Sequence, residues 1–242
     1  MLNKFIRLIK KEQFQPRFIA LFTNPFFFAR RGLYKGILEY GPFITGKTLD
    51  IGCGQRPYEH LVASTQYIGL EIDTPVARAI GKADVYYSGE RFPFEDASFD
   101  SVMLNQVFEH VFNPSTFLLE VNRILKPGGR MLLTVPFVWD EHEQPYDYAR
   151  YSSFGLSSIL SKTGFRIVRH KKSVNDLGLI FQLLNAYTYK NIVTKNLVVN
   201  QILYLFLMAP VNIIGFLVSK LSPKNNDLYL DNIILAEKVR NV

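Results

Sequence analysis

The sequence predicts an α/β fold built on a doubly wound, mostly parallel sheet, and three observations carry that expectation. Short aliphatic and β-branched runs alternate with segments of helical periodicity between residues 47 and 135. The first run ends in a glycine-rich turn, Asp50-Ile51-Gly52-Cys53-Gly54. A hydrophobic share of 48% in 242 residues supplies enough apolar mass for one sizeable core.

In chain order, residues 1–43 read as a basic amphipathic helical flank. Leu2, Phe5, Ile6 and Ile9 recur at helical spacing, with Lys4, Arg7, Lys10 and Lys11 between them. A cap helix and an interfacial anchor both fit this pattern. A signal peptide does not, because Gln13, Gln15 and Pro16 interrupt it and no small-residue cleavage site follows. From residue 44 to 242 one domain is expected. "KTLDIG" reads as a strand, "PYEHLVAS" as a short helix, "QYIGLEID" as a second strand and "TPVARAI" as a helical turn opened by a proline. "ADVYYSG" and "FDSVMLN" give strands three and four, with Glu109-His110 in the following helix. In "PSTFLLEVNRILKPGG", Phe117, Leu118, Val121 and Leu125 share one helical face, ended by Pro127-Gly128-Gly129. "RMLLTVPF" is strand five. A helix closed by Gly164 leads to strand six, and "LYLDNIILAEKV" is the last strand, after an apolar insert at 177–222.

The net charge of +7 is uneven. Residues 1–40 are strongly basic, and the insert holds Lys190, Lys195 and Lys220 with no acid. The middle is slightly acidic, which argues against a nucleic-acid-binding core and turns attention to the flanks. The single cysteine, Cys53, excludes an intrachain disulfide framework and suits a reducing compartment. It reads as a small packing residue between two glycines.

The turn constrains its ligand. Gly52 and Gly54 let a ligand approach the backbone closely. A dinucleotide fingerprint needs a third glycine where Pro57 stands, and a P-loop needs a lysine followed by Ser or Thr, which is missing. Asp50 just before the turn suits a ligand with a positive group or hydroxyls better than a pyrophosphate. Glu71 lies 17 residues beyond Gly54, the separation of a carboxylate that accepts from ribose hydroxyls.

Together "LDIGCG", "YIGLEID", "FPFEDASFDSVMLNQVFEHV", "RILKPGGRMLLTVP" and "LYLDNIILAEK" resemble the class I S-adenosylmethionine-dependent methyltransferases, in the branch with E-H-V after strand four and K-P-G-G before strand five. The resemblance covers about residues 44–175 and 228–240. It implies a seven-stranded Rossmann-like sheet, with S-adenosylmethionine as cofactor. It also implies that Asp50, Gly52 and Gly54 hold the amino-acid part of the cofactor and Glu71 its ribose. Where the family often has an acid that reaches the adenine, Ser88 stands here. Asn105 and Gln106 fall where the family lines the methyl-donating end.

Residues 136–155, "PFVWDEHEQPYDYARYSSFG", follow strand five at the edge where substrate should lie. The run resembles a bacterial methyltransferase subgroup associated with surface-polysaccharide gene clusters, an analogy for the substrate. A hydroxyl acceptor must lose a proton, and an imidazole is the natural base near neutral pH. His142 is the first candidate and Asp147 the second, while Trp139, Tyr148 and Arg150 are candidates to orient the acceptor. No recognisable metal-ligand spacing emerges from Glu141-His142-Glu143 or Glu109-His110, so no metal is expected. No G-x-S-x-G turn suggests nucleophilic catalysis.

The stretch 201–221 approaches the length of a membrane span, but Gln201, Pro210, Asn212 and Gly215 interrupt it. A single crossing would leave the last strand on the far side of the bilayer, unable to join the sheet. A helical pair over the sheet or a hairpin dipping into one leaflet remains, with contact to a membrane surface through 1–40 and 177–222. The expected protein is a cytoplasmic methyltransferase, peripheral on the membrane. It acts on a small-molecule or lipid-linked acceptor, a hydroxyl of a sugar or quinone-like ring. The alternative from another class is a non-catalytic cofactor-binding scaffold or regulator.

Overall fold

The computed structural model describes residues 11–242, so the amphipathic run at 2–9 lies outside the described residues. Two compact units are present. Of the described residues, one gathers 11–35 with Val138–Asp140 and Lys172–Asp231; the other holds Gly36–Phe137, Glu141–Lys171 and Asn232–Val242.

The second unit contains a seven-stranded sheet in the order β3-β2-β1-β4-β5-β7-β6. Its strands are β1 (Thr45–Ile51), β2 (Ala63–Ile72), β3 (Val85–Tyr87), β4 (Phe99–Asn105), β5 (Leu125–Pro136), β6 (Phe165–Lys172) and β7 (Asp231–Lys238). The pairs β1–β2, β1–β4, β2–β3 and β4–β5 are parallel. Strand β7 runs against its neighbours. Val239 N–H meets the Gly164 carbonyl and His170 meets Asn232, while Lys238 Nζ reaches the carbonyl of Leu125 at the start of β5. The sheet is therefore mixed and mostly parallel, as the alternating pattern predicts.

The central strands β4 and β7 and the second half of β5 are largely buried, as expected where helices cover both faces of a sheet, whereas β6 at one edge exposes Arg166, Arg169 and His170. Leu49, Ile51, Val102, Leu104, Leu133 and Ile234 sit in one core. Against it lies a helix, Pro114–Ile124, whose Leu118 and Val121 have no exposed surface, each worth roughly 1.5–3 kcal/mol of burial. On its outer side Arg123 pairs with Glu120 and Asp96 and donates to the carbonyls of Phe92 and Phe94, which fixes the segment leading into β4.

Three local expectations are corrected. The helix expected at 57–64 shrinks to a single turn, Glu59–Leu61, because β2 already pairs with β1 at Ala63. Short isolated helices are marginal, so strand pairing wins. The helix expected through Leu125 ends at Ile124, and the Lys126-Pro127-Gly128-Gly129 run belongs to β5, displaced by a register shift. Glu109-His110 sits in a one-turn segment, Phe108–His110, rather than in a full helix.

The first unit is helical, with helices at Gly178–Ile192 and Leu197–Leu221, the latter interrupted by a wider turn at Tyr204–Met208. Buried amides hold it together. Gln182 Oε1 accepts from Phe28 and Ala29 N–H at the start of the helix Phe27–Tyr40, and its Nε2 donates to the Pro25 carbonyl. Asn212 donates to the carbonyls of Leu21 and Asn24 and accepts from Asn185. Of the polar residues that interrupt the apolar stretch, Asn212 thus faces inward, whereas Gln201 is exposed.

Candidate functional site

Strands β1, β2, β3, β4 and β5 point the same way, so their carboxyl ends share one edge. The strand order reverses between β1 and β4, and such a switch point opens a crevice for ligands. The cofactor residues inferred from the sequence all fall on this edge: the turn 52–54 after β1, Glu71 near the end of β2, Ser88 after β3, and Asn105-Gln106 at the end of β4.

The turn is built by backbone geometry. Gly52 has φ +69° and Gly54 φ +50°, in the region that costs other residues about 1–2 kcal/mol. A Cβ on Gly52 would overlap Val107 Cγ2, so the turn packs directly on the segment that follows β4. A Cβ on Gly54 would meet nothing within 4 Å, which leaves open space beside the backbone. Gly54 N–H donates to Glu71 Oε1 at 2.6 Å and fixes that carboxylate against the turn. Partial burial raises the Glu71 pKa, the Gly54 N–H opposes the rise, and the charge of Glu143 adds to it. Glu143 belongs to the loop after β5, so that loop reaches the cofactor end of the edge.

Asp50 is placed behind the turn rather than in the open. It is 2% exposed and accepts from Tyr67 Oη at 2.6 Å. Burial pushes its carboxyl up to about 7 against the Tyr67 hydrogen bond, with Glu71 adding to the rise. The Cys53 thiol is pushed up to about 12 by burial and the neighbouring carboxylates, which suits packing rather than nucleophilic chemistry. At the end of β4, Gln106 takes φ +55°; its N–H donates to the Thr134 carbonyl and Thr134 Oγ1 donates to Asn105 Oδ1. Ser88 is exposed.

The loop after β5 folds back onto the Phe108–His110 turn. Tyr148 and Ala149 N–H both donate to the Glu109 carbonyl, and His110 Nδ1 lies 2.8 Å from the Tyr146 carbonyl. His142 Nδ1 lies 3.3 Å from Asp147 Oδ2, which also accepts the His142 N–H at 2.9 Å. Arg150 grips Asp147 with both terminal nitrogens at 2.6 Å. The guanidinium holds the Asp147 carboxyl down at about 2, despite partial burial. His142 Nε2 faces the fully buried Glu109, 3.9 Å from Oε1, and His110 Nε2 lies at the same distance. Of the inferred acceptor residues, His142, Asp147 and Arg150 are therefore brought together. Tyr148 packs on Phe112 with ring centres 5.2 Å apart, and Trp139 belongs to the helical unit, 6.0 Å from the Phe26 ring.

The sequence reading did not include Glu109 or His110 in the site. Its E-H-V run was visible, but its approach to His142 depends on the return of the loop. The residues present fit S-adenosylmethionine: a Glu71 carboxylate fixed against the turn, a left-handed Gly54 beside open space, and no lysine in the turn for a pyrophosphate.

A family model described as a methyltransferase domain matches residues 49–133. Among curated proteins, the ubiquinone biosynthesis O-methyltransferase of Maricaulis maris is 50% identical over 120 residues, 40% of this chain and 43% of that one. A Mycolicibacterium smegmatis protein described as a probable S-adenosylmethionine-dependent methyltransferase is 27% identical over 132 residues, 49% of this chain and 51% of that one. The chain thus spans about half the length of these curated relatives. In fold it is similar to an S-adenosylmethionine-dependent methyltransferase from Mesorhizobium loti, with a TM-score of 0.53 and 14% identity over 85% of this chain and 97% of that one. It is also similar to the [4+2]-cyclase SpnF, with a TM-score of 0.55 and 17% identity over 84% of this chain and 78% of that one.

Proposed function

We propose that this chain, which carries a class I methyltransferase domain with S-adenosylmethionine as its cofactor, transfers a methyl group to a hydroxyl oxygen of a small-molecule or lipid-linked acceptor. A sugar or a quinone-like ring is the acceptor class we favour. The observation that carries the reading is the junction of two parts. The Gly52–Gly54 turn packs through Val107 onto the strand-four turn, and that turn is bonded to the His142 loop. A site for a donor and a site for an acceptor are thereby held side by side.

Bound S-adenosylmethionine supplies an electrophilic sulfonium methyl. The chain supplies alignment, which in favourable models is worth about 7–11 kcal/mol. Glu71 and the glycine turn hold the nucleoside end, with Asn105 and Gln106 beside the methyl-donating end. In this reading His142, beside Asp147 and Arg150, accepts the hydroxyl proton at Nε2. A name on a relative supports the oxygen acceptor: the Maricaulis maris protein is an O-methyltransferase. The cyclase with this fold shows that fold alone does not choose the reaction, so the reading rests on the site. Ser88, exposed and without a carboxylate, favours the scaffold alternative.

The helical unit supports a peripheral position on the cytoplasmic face of a membrane. Its amides Gln182, Asn185, Asn200 and Asn212 are buried, whereas Tyr187, Leu197, Val198, Phe206, Leu217 and Leu221 are exposed. Leu197–Leu221 is long and apolar enough to cross a bilayer by composition, with a mean hydropathy of 2.2 and 22% of that window buried. Because β7 follows it and joins the sheet, a lengthwise surface contact is favoured over a crossing.

Two measurements test the reading. Titration calorimetry should show S-adenosylmethionine binding at one per chain and no binding of a nicotinamide dinucleotide. Labelled methyl groups should then appear in a lipid or glycan extract, and binding without any transfer would establish the scaffold instead. Flotation with anionic liposomes should carry the protein upward; a protein that stays wholly soluble contradicts the membrane position.

A further inference from the structure

The geometry points to a divalent transition-metal site, of the Zn²⁺ class, formed by Glu109, His110 and His142. One ligand atom from each lies within 4.8 Å of the other two. Glu109 Oε1 is 3.9 Å from Nε2 of each histidine, and the two rings stand edge to face with centres 4.9 Å apart. Ligand atoms around a tetrahedral Zn²⁺ with bonds near 2.0–2.1 Å lie about 3.3 Å apart. Closing the cluster onto an ion therefore shortens each glutamate–histidine pair by about 0.6 Å and the histidine pair, within 4.8 Å, by up to about 1.5 Å. At 3.9 Å the same pairs are too long for hydrogen bonds.

The outer partners of the rings are an independent sign. His110 Nδ1 lies 2.8 Å from the Tyr146 carbonyl, which can only accept, so Nδ1 carries a hydrogen and Nε2 is the ring nitrogen left to face the cluster. His142 Nδ1 lies 3.3 Å from the Asp147 carboxylate, which is itself held by Arg150, whose Nη2 also lies 3.5 Å from Nδ1. A histidine whose far nitrogen donates to a carbonyl or a carboxylate is the arrangement that fixes metal-binding rings. Two imidazoles with one carboxylate favour a borderline ion over Mg²⁺ or Ca²⁺. Three protein ligands leave one position open, as catalytic zinc sites do.

Ion binding stands on this cluster alone, whereas its chemical use rests on the methyl-transfer reading. In that use the acceptor hydroxyl takes the open position and its proton leaves to solvent. The oxygen pair then bonds the methyl carbon as the carbon–sulfur pair passes to sulfur, which departs as a neutral thioether. His142 becomes a ligand instead of the base.

The test uses the tag-free full chain, stripped with a chelator and then titrated with Zn²⁺ by calorimetry and with Co²⁺ by visible absorption. One ion per chain is expected, with ligand-field bands from Co²⁺ and no displacement by millimolar Mg²⁺. Glu109→Gln and His142→Asn should each weaken Zn²⁺ binding by at least about 100-fold, and Asp147→Asn by about 10–100-fold. Calorimetry with S-adenosylmethionine on the same samples should be unchanged; this checks the fold and keeps failure of the metal site distinct from failure of the cofactor reading. No Zn²⁺ uptake, or equal uptake by the wild type and a His110→Asn/His142→Asn variant that still binds S-adenosylmethionine, would overturn the site.

Discussion

The turn at 52–54 and the loop at 141–151 flank the same sheet edge, yet they are built in opposite ways. The turn is short and made by backbone conformation, with two left-handed glycines and one carboxylate 17 residues on. The loop is made by side chains that converge from separate segments: Arg150 on Asp147, Asp147 on His142, and His142 on Glu109. The difference teaches that donor binding and acceptor chemistry should be separable by mutation.

The largest effect is expected on the loop side. His142→Ala should lower methyl transfer by about 10²–10⁴-fold while cofactor affinity holds, because a positioned proton acceptor or ion ligand is lost. Gly52→Ala comes next. Its left-handed φ costs about 1–2 kcal/mol and its overlap with Val107 about 1–3 more, which denaturant unfolding would read as a stability loss. Glu71→Gln should weaken S-adenosylmethionine binding by about 10-fold or more, since hydrogen bonds to a charged group are worth roughly 1.5–3 kcal/mol.

A pH effect belongs to the turn side as well. The Asp50 carboxyl is raised to about 7 in the fold, so the folded chain binds its proton more tightly than the unfolded chain does. This group's contribution is present below the ordinary carboxylate range and is lost as pH rises toward 7, by up to about 1.4 kcal/mol per pH unit. Asp50→Asn should remove that slope, seen as a stability difference between the two proteins that changes from pH 5 to pH 8. The smallest effect is Gly54→Ala, which meets no neighbour and should cost only about 1–2 kcal/mol from its φ of +50°.

The same contrast explains what could be read before the fold was seen. The strand alternation, the glycine turn and the Gly54–Glu71 spacing are local patterns, and each reappears in the structure. Pro57–Ser64 looks helical in isolation, but β1 captures Ala63 and Ser64 into a strand. Glu109 and His142 are far apart in sequence, and the hydrogen bonds from Tyr148 and Ala149 to the Glu109 carbonyl, with the contact of His110 Nδ1 to the Tyr146 carbonyl, bring the loop back. No spacing rule contains that return. Asp50 is the converse case: the sequence shows an acid beside a turn, and only the fold reveals Tyr67 and full burial. Asn212 likewise reads as a flaw in an apolar stretch, and in the fold it ties two carbonyls of the N-terminal segment.

The separation of the two sides is tested most directly by titrating S-adenosylmethionine into the wild type, Glu71→Ala and His142→Ala by calorimetry, side by side. Binding should be lost or strongly weakened in Glu71→Ala and remain within about twofold of the wild type in His142→Ala. Equal loss in both, or loss in His142→Ala alone, would contradict it.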